Sequence, residues 1–338
     1  MLTPGFPKNE ADTTCIPALQ IYIKALKEIS GYQISIISLH YPKTKGIYFW
    51  ENIPVYTMGS SSFLTKIGLW QKVFRTLKQI HRENPITVLH SFWLGECAFI
   101  GHWFSKKNNT KHISTLMGQD ALKENLYSKI LPLKKIHLIT LSNFQRNTFN
   151  KNYNVQTEVI PWGIAQENFH HFPKKTIDII GVGSLTPLKN YDLFIDVIYQ
   201  INQSKPIKAV LIGEGNLREK LQEKIRFLQL EKVIDIKGEL NYDETLKYIS
   251  QSKILLHTSN YESFGLVFAE ALQSKTMIVS KEVGCAFSSP NWVISNNESE
   301  MITACENLLL KSFTEAAKNP FTIEKTVQHY LEIYKQEN

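Results

Sequence analysis

Residues 179–198 read IIGVGSLTPLKNYDLFIDVI. A β-branched run closes on Gly181 and Gly183, a short polar turn follows, and from Asn190 the apolar residues recur at helical spacing. This is the strand, glycine turn and helix of a βαβ unit. LIGEGNLREKL, residues 211–221, repeats the pattern with Gly213 and Gly215. Around these two, TIDIIGVGSL, IKAVLIGEG, VIDIKG, KILLHTS and TMIVS read as strands. NYDLFIDVIYQINQ, NLREKLQEKIRFLQL, YDETLKYISQ and GLVFAEALQS read as helices between them. Strict alternation of this kind predicts a parallel sheet covered by helices on both faces. The first half alternates too, with YQISIISL, ITVLHSFWL, KHISTLM and IHLITLS as strands and PALQIYIKALKEI and LTKIGLWQKVFRTLKQI as helices. The expectation is an α/β protein with two Rossmann-like, doubly wound domains, facing each other across a cleft. Their predicted bounds are 1–165 and 174–320, joined by a linker at 166–173 in the aperiodic stretch PWGIAQENFHHFPKK. A helical tail, 321–338, carries Ile323, Val327, Tyr330 and Leu331 on one stripe. In doubly wound sheets ligands gather where strand carboxyl ends meet helix N-termini, a setting that favours phosphate.

The bulk properties fit this frame. A chain of 338 residues, 43% hydrophobic and 20% charged, is long enough for two cores. No apolar stretch approaches the ~20 residues that span a bilayer. The four cysteines, Cys15, Cys97, Cys285 and Cys305, form no CxxC pair, which disfavours a zinc site or disulfide framework and suits a reducing cytosol. The N-terminal stretch MLTPGFPKNEAD lacks the apolar core of a signal peptide, so a cytoplasmic location is expected. Residues 1–168 hold 19 Lys and Arg against 10 Asp and Glu, and residues 169–338 hold 19 against 21. The basic half predicts an anionic partner: phosphate, lipid or nucleic acid. SFLTKIGLWQKVFRTLKQIHRE sharpens that expectation, because Phe63, Ile67, Trp70, Phe74 and Leu77 form a stripe while Lys66, Lys72, Arg75, Lys78 and Arg82 lie elsewhere. The helix packs that stripe on the first sheet, and its basic face could also meet an anionic membrane.

Two features carry chemistry. Lys189 stands just before a helix start, where its ammonium could sit beside a phosphate held at the N-terminus. The plain alternative is a solvated lysine at a strand–helix turn. NYESFGLVFAEAL, residues 260–272, places Glu262 and Glu270 eight positions apart in apolar surroundings. Glu270 is flanked by Phe268, Ala269, Ala271 and Leu272, an unfavourable setting for a carboxylate with no task. Gly265 lets the backbone N–H groups of Phe264 to Val267 approach a phosphate or sugar oxygen. A carboxylate can accept two hydrogen bonds at once, as a ribose diol offers.

Together with IKGEL, these motifs resemble glycosyltransferase family 4, the retaining enzymes of the GT-B fold, closely over about 177–284 and loosely before it. The resemblance implies that Glu262 lies by the donor sugar and Glu270 binds the nucleotide ribose, the stretch being similar to the family's E-x7-E signature. It implies donor contacts from Gly183, Ser184, Lys189, Glu262, Phe264, Gly265, Leu266 and Glu270. Backbone near Gly238, Glu239 and Leu240 would hold the base. Where the family has an arginine on the donor phosphates this chain has Ser184. HISTLMGQDAL is similar to the family's T-x-H-G-x-D strand end, with Thr115, Gly118 and Asp120 matching and Met117 in the histidine's place. Either the sugar is held differently, or His90 or His112 contributes; His90 reads otherwise as a hydrogen-bonded strand-end residue. Asp120 has a helix N-cap as its plain alternative. The N-terminal loop TPGFPKNEADTTCIPAL stands where the family has a glycine-rich turn but has only Gly5, with Cys15 and Pro17 in place of small residues. Only Met1 to Thr3 precede Pro4, so either the first strand is very short or the start lies upstream.

The function that follows by resemblance is a metal-independent, retaining glycosyltransferase of hexosyltransferase type. It moves a sugar from a nucleotide diphosphate to a saccharide or lipid-linked acceptor in cell-surface polysaccharide assembly. Glu262, Lys189 and Asp120 are its expected catalytic residues; no D-x-D motif occurs, and no cofactor or metal is expected. Peripheral contact with the inner face of an anionic membrane is a further expectation, and nucleic acid is not. The rivals are a GT-B-shaped sugar-nucleotide epimerase and a non-catalytic sugar-nucleotide-binding protein.

Overall fold

The computed structural model describes residues 1–59, 66–165, 169, 175–314 and 319–336. The chain divides into two compact units: Met1–Gly163 together with Ile323–Asn338, and Ile164–Thr322.

The first unit runs β1 (Leu2–Gly5), α1 (Pro17–Ser30), β2 (Ile36–Tyr41), β3 (Gly46–Trp50), β4 (Ile53–Thr57), α2 (Lys66–Glu83), β5 (Val88–Phe92), α3 (Glu96–Asn108), β6 (Lys111–Thr115), α4 (Tyr127–Ile130), β7 (His137–Thr140), α5 (Asn143–Tyr153) and β8 (Glu158–Val159). Among the described residues eight strands pair in the order β3-β4-β2-β1-β5-β6-β7-β8. All neighbours are parallel except β3 and β4. That antiparallel hairpin turns on Glu51 and Asn52, both at positive φ, the backbone that matches a two-residue turn to strand twist. The first strand is four residues long and yet sits mid-sheet, paired with β2 and β5.

The helix α2 meets the sheet on a different stripe from the one expected. Leu69, Val73, Leu77 and Ile80 are buried, whereas Ile67 is 71% exposed. Trp70 and Phe74 only flank that cluster, and Phe63 lies outside the described residues. Compact aliphatic side chains fill the space over a sheet with fewer steric demands than rings do, so the helix rotates to bury them.

The C-terminal helix, Ile323–Lys335, belongs to this unit and packs on α1. A buried polar network ties it down. The His90 Nδ1 lies 2.6 Å from the Tyr334 hydroxyl and its Nε2 lies 2.8 Å from Thr115 Oγ1. Tyr330 bonds Thr115 at 2.9 Å, and Tyr22 bonds Tyr334 at 2.7 Å. His90 therefore has the strand-end, hydrogen-bonded role, and burial pushes its imidazole well below the usual histidine range.

The second unit runs β9 (Ile177–Val182), α6 (Tyr191–Ser204), β10 (Ala209–Ile212), α7 (Arg218–Phe227), β11 (Ile234–Gly238), α8 (Tyr242–Ser250), β12 (Ser252–His257), α9 (Leu266–Gln273), β13 (Met277–Ser280), β14 (Trp292–Ile294) and α10 (Glu298–Leu309). The described strands lie in the order β11-β10-β9-β12-β13-β14, all parallel. This is the doubly wound 3-2-1-4-5-6 arrangement, which reverses direction between β9 and β12. Ile179, Phe194, Ile198, Leu211, Ile254 and Met301 are among its buried core. Gly181, read as a turn glycine, lies inside β9. A Cβ there would come 3.0 Å from both Leu211 and Phe194, so it makes room for helix packing.

Candidate active site

The second sheet reverses direction between β9 and β12, and the loops after these strands are joined by hydrogen bonds. Asn260 N–H donates to the Leu188 carbonyl at 2.9 Å, and the Thr258 hydroxyl donates to the Lys189 carbonyl at 2.8 Å. The loop after β10 lies on the loop after β9 just as closely. Gly213 adopts φ +148°, and a Cβ there would fall 1.9 Å from the Gly183 carbonyl oxygen. Only glycine allows that approach.

Seventy-three residues apart in sequence, Lys189 and Glu262 meet here. The ammonium donates to Glu262 Oε1, and the two side chains are 20% and 12% exposed. The same oxygen lies 3.0 Å from Nε2 of His257, the last residue of β12. His257 is 4% exposed, and neither ring nitrogen makes an aligned hydrogen bond. Burial works to raise the Glu262 pKa, but the His257 imidazole and the Lys189 charge outweigh it and hold the carboxyl down at about 2. His257 itself is shifted below the usual histidine value, first by burial and further by Lys189, with Glu262 opposing. The carboxylate is thus ionised at all ordinary pH and is held by one oxygen.

Gly265, at φ +83°, is the N-cap of α9 and offers no side-chain cap. Leu266 and Val267 begin the helix, so their N–H groups are among the four that a helix leaves without intrahelical partners. A Cβ at Gly265 would lie 2.6 Å from the Phe268 ring. Phe264 is 2% exposed, and its carbonyl accepts from Cys285 N–H at 2.8 Å. Two turns into α9, Glu270 is 5% exposed and pairs with the Tyr242 hydroxyl of α8. Burial drives its carboxyl up to about 7, with Tyr242 pulling the other way.

The remaining expected residues fall at the other strand ends. Gly183 ends the β9 turn beside the Lys189 stem, and Ser184 is exposed. Gly238 ends β11 at φ +77° and accepts from Gly213 N–H, with exposed Glu239 and half-buried Leu240 following. Arg218 pairs with Glu214 beside Gly238. Sequence reasoning missed His257, Tyr242 and Arg218. A lone histidine in an apolar strand gives no signal of its own, and the other two become visible only once the strand order is known.

In the first unit Asp120, expected among the catalytic residues, is bound by the backbone of its own loop. Its Oδ2 accepts from Leu94 N–H at 2.8 Å and Met117 N–H at 3.1 Å, and its Oδ1 accepts from Gly118 N–H at 2.8 Å. A carboxylate bound by three amides organises its loop. His112 contacts Ser91 Oγ at 3.0 Å, and burial holds its ring down at about 3.

The family model described as glycosyl transferases group 1 matches residues 164–307, nearly the whole second unit. An uncharacterized glycosyltransferase of Methanocaldococcus jannaschii is 23% identical over 268 residues, 78% of this chain and 73% of the relative. The phosphatidylinositol N-acetylglucosaminyltransferase GPI3 subunit of Saccharomyces cerevisiae is 26% identical over 62% of this chain, which spans about half, 51%, of its length. Among solved structures, Anabaena HepE in complex with UDP and glucose superposes with TM-score 0.77 at 14% identity, covering 99% of both chains, and shares the GT-B fold. The second unit therefore resembles the glycosyl transferases group 1 family, and with these relatives it identifies this chain as a glycosyltransferase.

Proposed function

We propose that this glycosyltransferase retains anomeric configuration, works without a metal ion, and moves a hexose from a nucleotide diphosphate donor to a saccharide or lipid-linked acceptor. The observation that carries the reading is the Lys189–Glu262 pair beside the uncapped N-terminus of α9, where the strand order reverses. A half-buried ammonium and the helix N-terminal N–H groups supply positive potential for a departing diphosphate. Glu262 is ionised and anchored at one oxygen, which leaves the other for a sugar hydroxyl. Glu270, with Tyr242 beside it, suits a ribose diol, whose hydroxyls would compensate its buried charge. With leaving and attacking oxygens on one face of the sugar, such a site works by positioning and charge stabilisation, with no separate nucleophile.

The acceptor and its setting are part of the same proposal. The yeast relative is named for a phosphatidylinositol substrate, which supports a lipid-linked acceptor and cell-surface polysaccharide assembly. Among the described residues no helix is long and apolar enough to cross a membrane. Peripheral contact at the inner face is supported by the first unit, where Lys106, Lys111 and Lys135 line a groove of about 790 Å³ beside Trp103, which is 44% exposed. Anionic vesicles should pull down the protein where zwitterionic ones do not.

The deciding experiment is a thermal-shift screen of UDP-, GDP- and ADP-sugars, since a bound donor raises the midpoint by mass action. The donor that does so should be turned over, and Lys189→Ala and Glu262→Ala should abolish turnover. Unchanged turnover in both variants would refute the mechanism. Turnover to an isomeric donor without acceptor would indicate an epimerase, and binding without turnover a sugar-nucleotide receptor.

A further inference from the structure

One buried group at the site has no part in the mechanism above. His257 closes β12 and points at the oxygen of Glu262 that also receives Lys189. Its Nε2 faces the carboxylate at 3.0 Å. Phe268 of α9 packs against the ring at 4.5 Å between centroids, which fixes the plane of the imidazole. On the neighbouring strand β13 the residue in register is Ser280, which carries no charge. The charged groups that act on His257 are thus Glu262 and Lys189, from the loops after β12 and β9. Tyr191 and Cys285 act on Glu262 from farther round and are held neutral by burial.

A buried histidine so placed responds to the net charge of its two neighbours. Lys189 and Glu262 together are neutral, and between them the ring has little reason to hold a second proton. A dianionic diphosphate arriving at Lys189 changes that balance. It offsets the ammonium that repels a proton on the ring and leaves the carboxylate that attracts one. We propose that His257 is a positioning residue for Glu262, taking up a proton when the donor diphosphate binds and so keeping the carboxylate oriented while Lys189 serves the phosphate. This rests on the assignment of Lys189 to the donor diphosphate. The proton comes from solvent on binding and returns to it when the nucleotide leaves, so no proton is consumed per turnover.

The test is calorimetric titration of the protein with UDP near pH 7, in two buffers of very different ionisation enthalpy. Wild type should show a buffer-dependent heat that combines proton uptake at His257 with the response of Glu270 to the ribose, and His257→Gln should change that slope by the uptake it loses while still binding UDP, with a raised donor KM. In histidine-labelled wild type, the ring nitrogen shifts of His257 should move toward the imidazolium values when UDP is added, which reads the same step without any substitution. A buffer dependence identical in wild type and His257→Gln, or His257 shifts unmoved by bound UDP, would overturn the proposal and leave the donor site standing. Failure of UDP, GDP and ADP alike to bind wild type would overturn both.

Discussion

Removing Lys189 tests whether the pair at the switch point is held by its own charge. In Lys189→Met the stem volume is kept and the ammonium is lost. Glu262, 12% exposed, would then face the interior with His257 as its remaining partner. The pair's worth can be gauged from the Glu262 carboxyl, which sits at about 2 instead of its ordinary 4.5. That difference is equivalent to about 3 kcal/mol of native-state stability at neutral pH. His257 shares in it, so Lys189→Met alone should cost about 2 kcal/mol. For a unit of this size that lowers the thermal midpoint by about 4–8 °C. The sign with pH is fixed: a depressed carboxyl stabilises above its unfolded value and loses that contribution as pH falls toward 2. The deficit of the variant should be largest near pH 8 and shrink toward pH 5, where His257, no longer opposed by Lys189, takes up a proton beside Glu262. Adding Glu262→Gln removes the stranded charge, and the double variant should recover most of the loss. Scanning calorimetry of wild type, both single variants and the double completes the cycle. A double variant no more stable than Lys189→Met would refute the claim that the ammonium's structural role is to compensate Glu262.

Three further outcomes follow from the geometry. Glu270→Gln should stabilise the protein by about 2–3 kcal/mol at pH 8 and leave it unchanged near pH 4, because a carboxyl raised to about 7 loses stability as pH climbs through that value; urea unfolding at both pH values reads this, and donor affinity should fall. Asp120→Asn should destabilise by about 1–3 kcal/mol through a lost amide acceptor while donor affinity, measured by calorimetric titration, stays as in wild type; a loss of kcat with unaltered stability would restore Asp120 to catalysis. Gly265→Ala should cost more than about 1 kcal/mol in urea unfolding, since alanine is strained at φ +83° and its Cβ would strike Phe268.

The sequence made the second sheet largely legible because most residues of its strands are apolar and its turns carry glycines, so that period and punctuation agree. It was less informative where those signals part. The helix α3 buries Cys97, Ala98, Ile100, His102, Phe104 and Ser105, nearly its whole circumference, and so offers no amphipathic stripe to find. The β3–β4 hairpin turns on Glu-Asn, which lacks the glycine that usually marks such a turn. In α2 two adjacent stripes both satisfied the helical period, and only the shape of the space over the sheet selected Leu69, Val73 and Ile80. At the site, Glu262 and Lys189 were legible as residues, whereas their pairing depended on β9 and β12 being neighbours. The three amide bonds of Asp120 were not legible, because a carboxylate that caps amides and one that meets a substrate look alike in sequence.

The polar network of the first unit also bears on how the chain comes off the ribosome. His90 and Thr115 are made early, but the hydroxyls that satisfy them belong to Tyr330 and Tyr334. The whole second unit, Ile164–Thr322, is synthesised in between. Throughout that interval His90 and Thr115 have each other but lack the tyrosine hydroxyls that complete their bonding, a cost that hinders a sealed core. The second unit, contiguous in sequence, is under no such delay and can fold first, against the usual N-to-C order. A nascent chain halted before residue 330 should thus present a protease-resistant second unit behind a still-digestible first one.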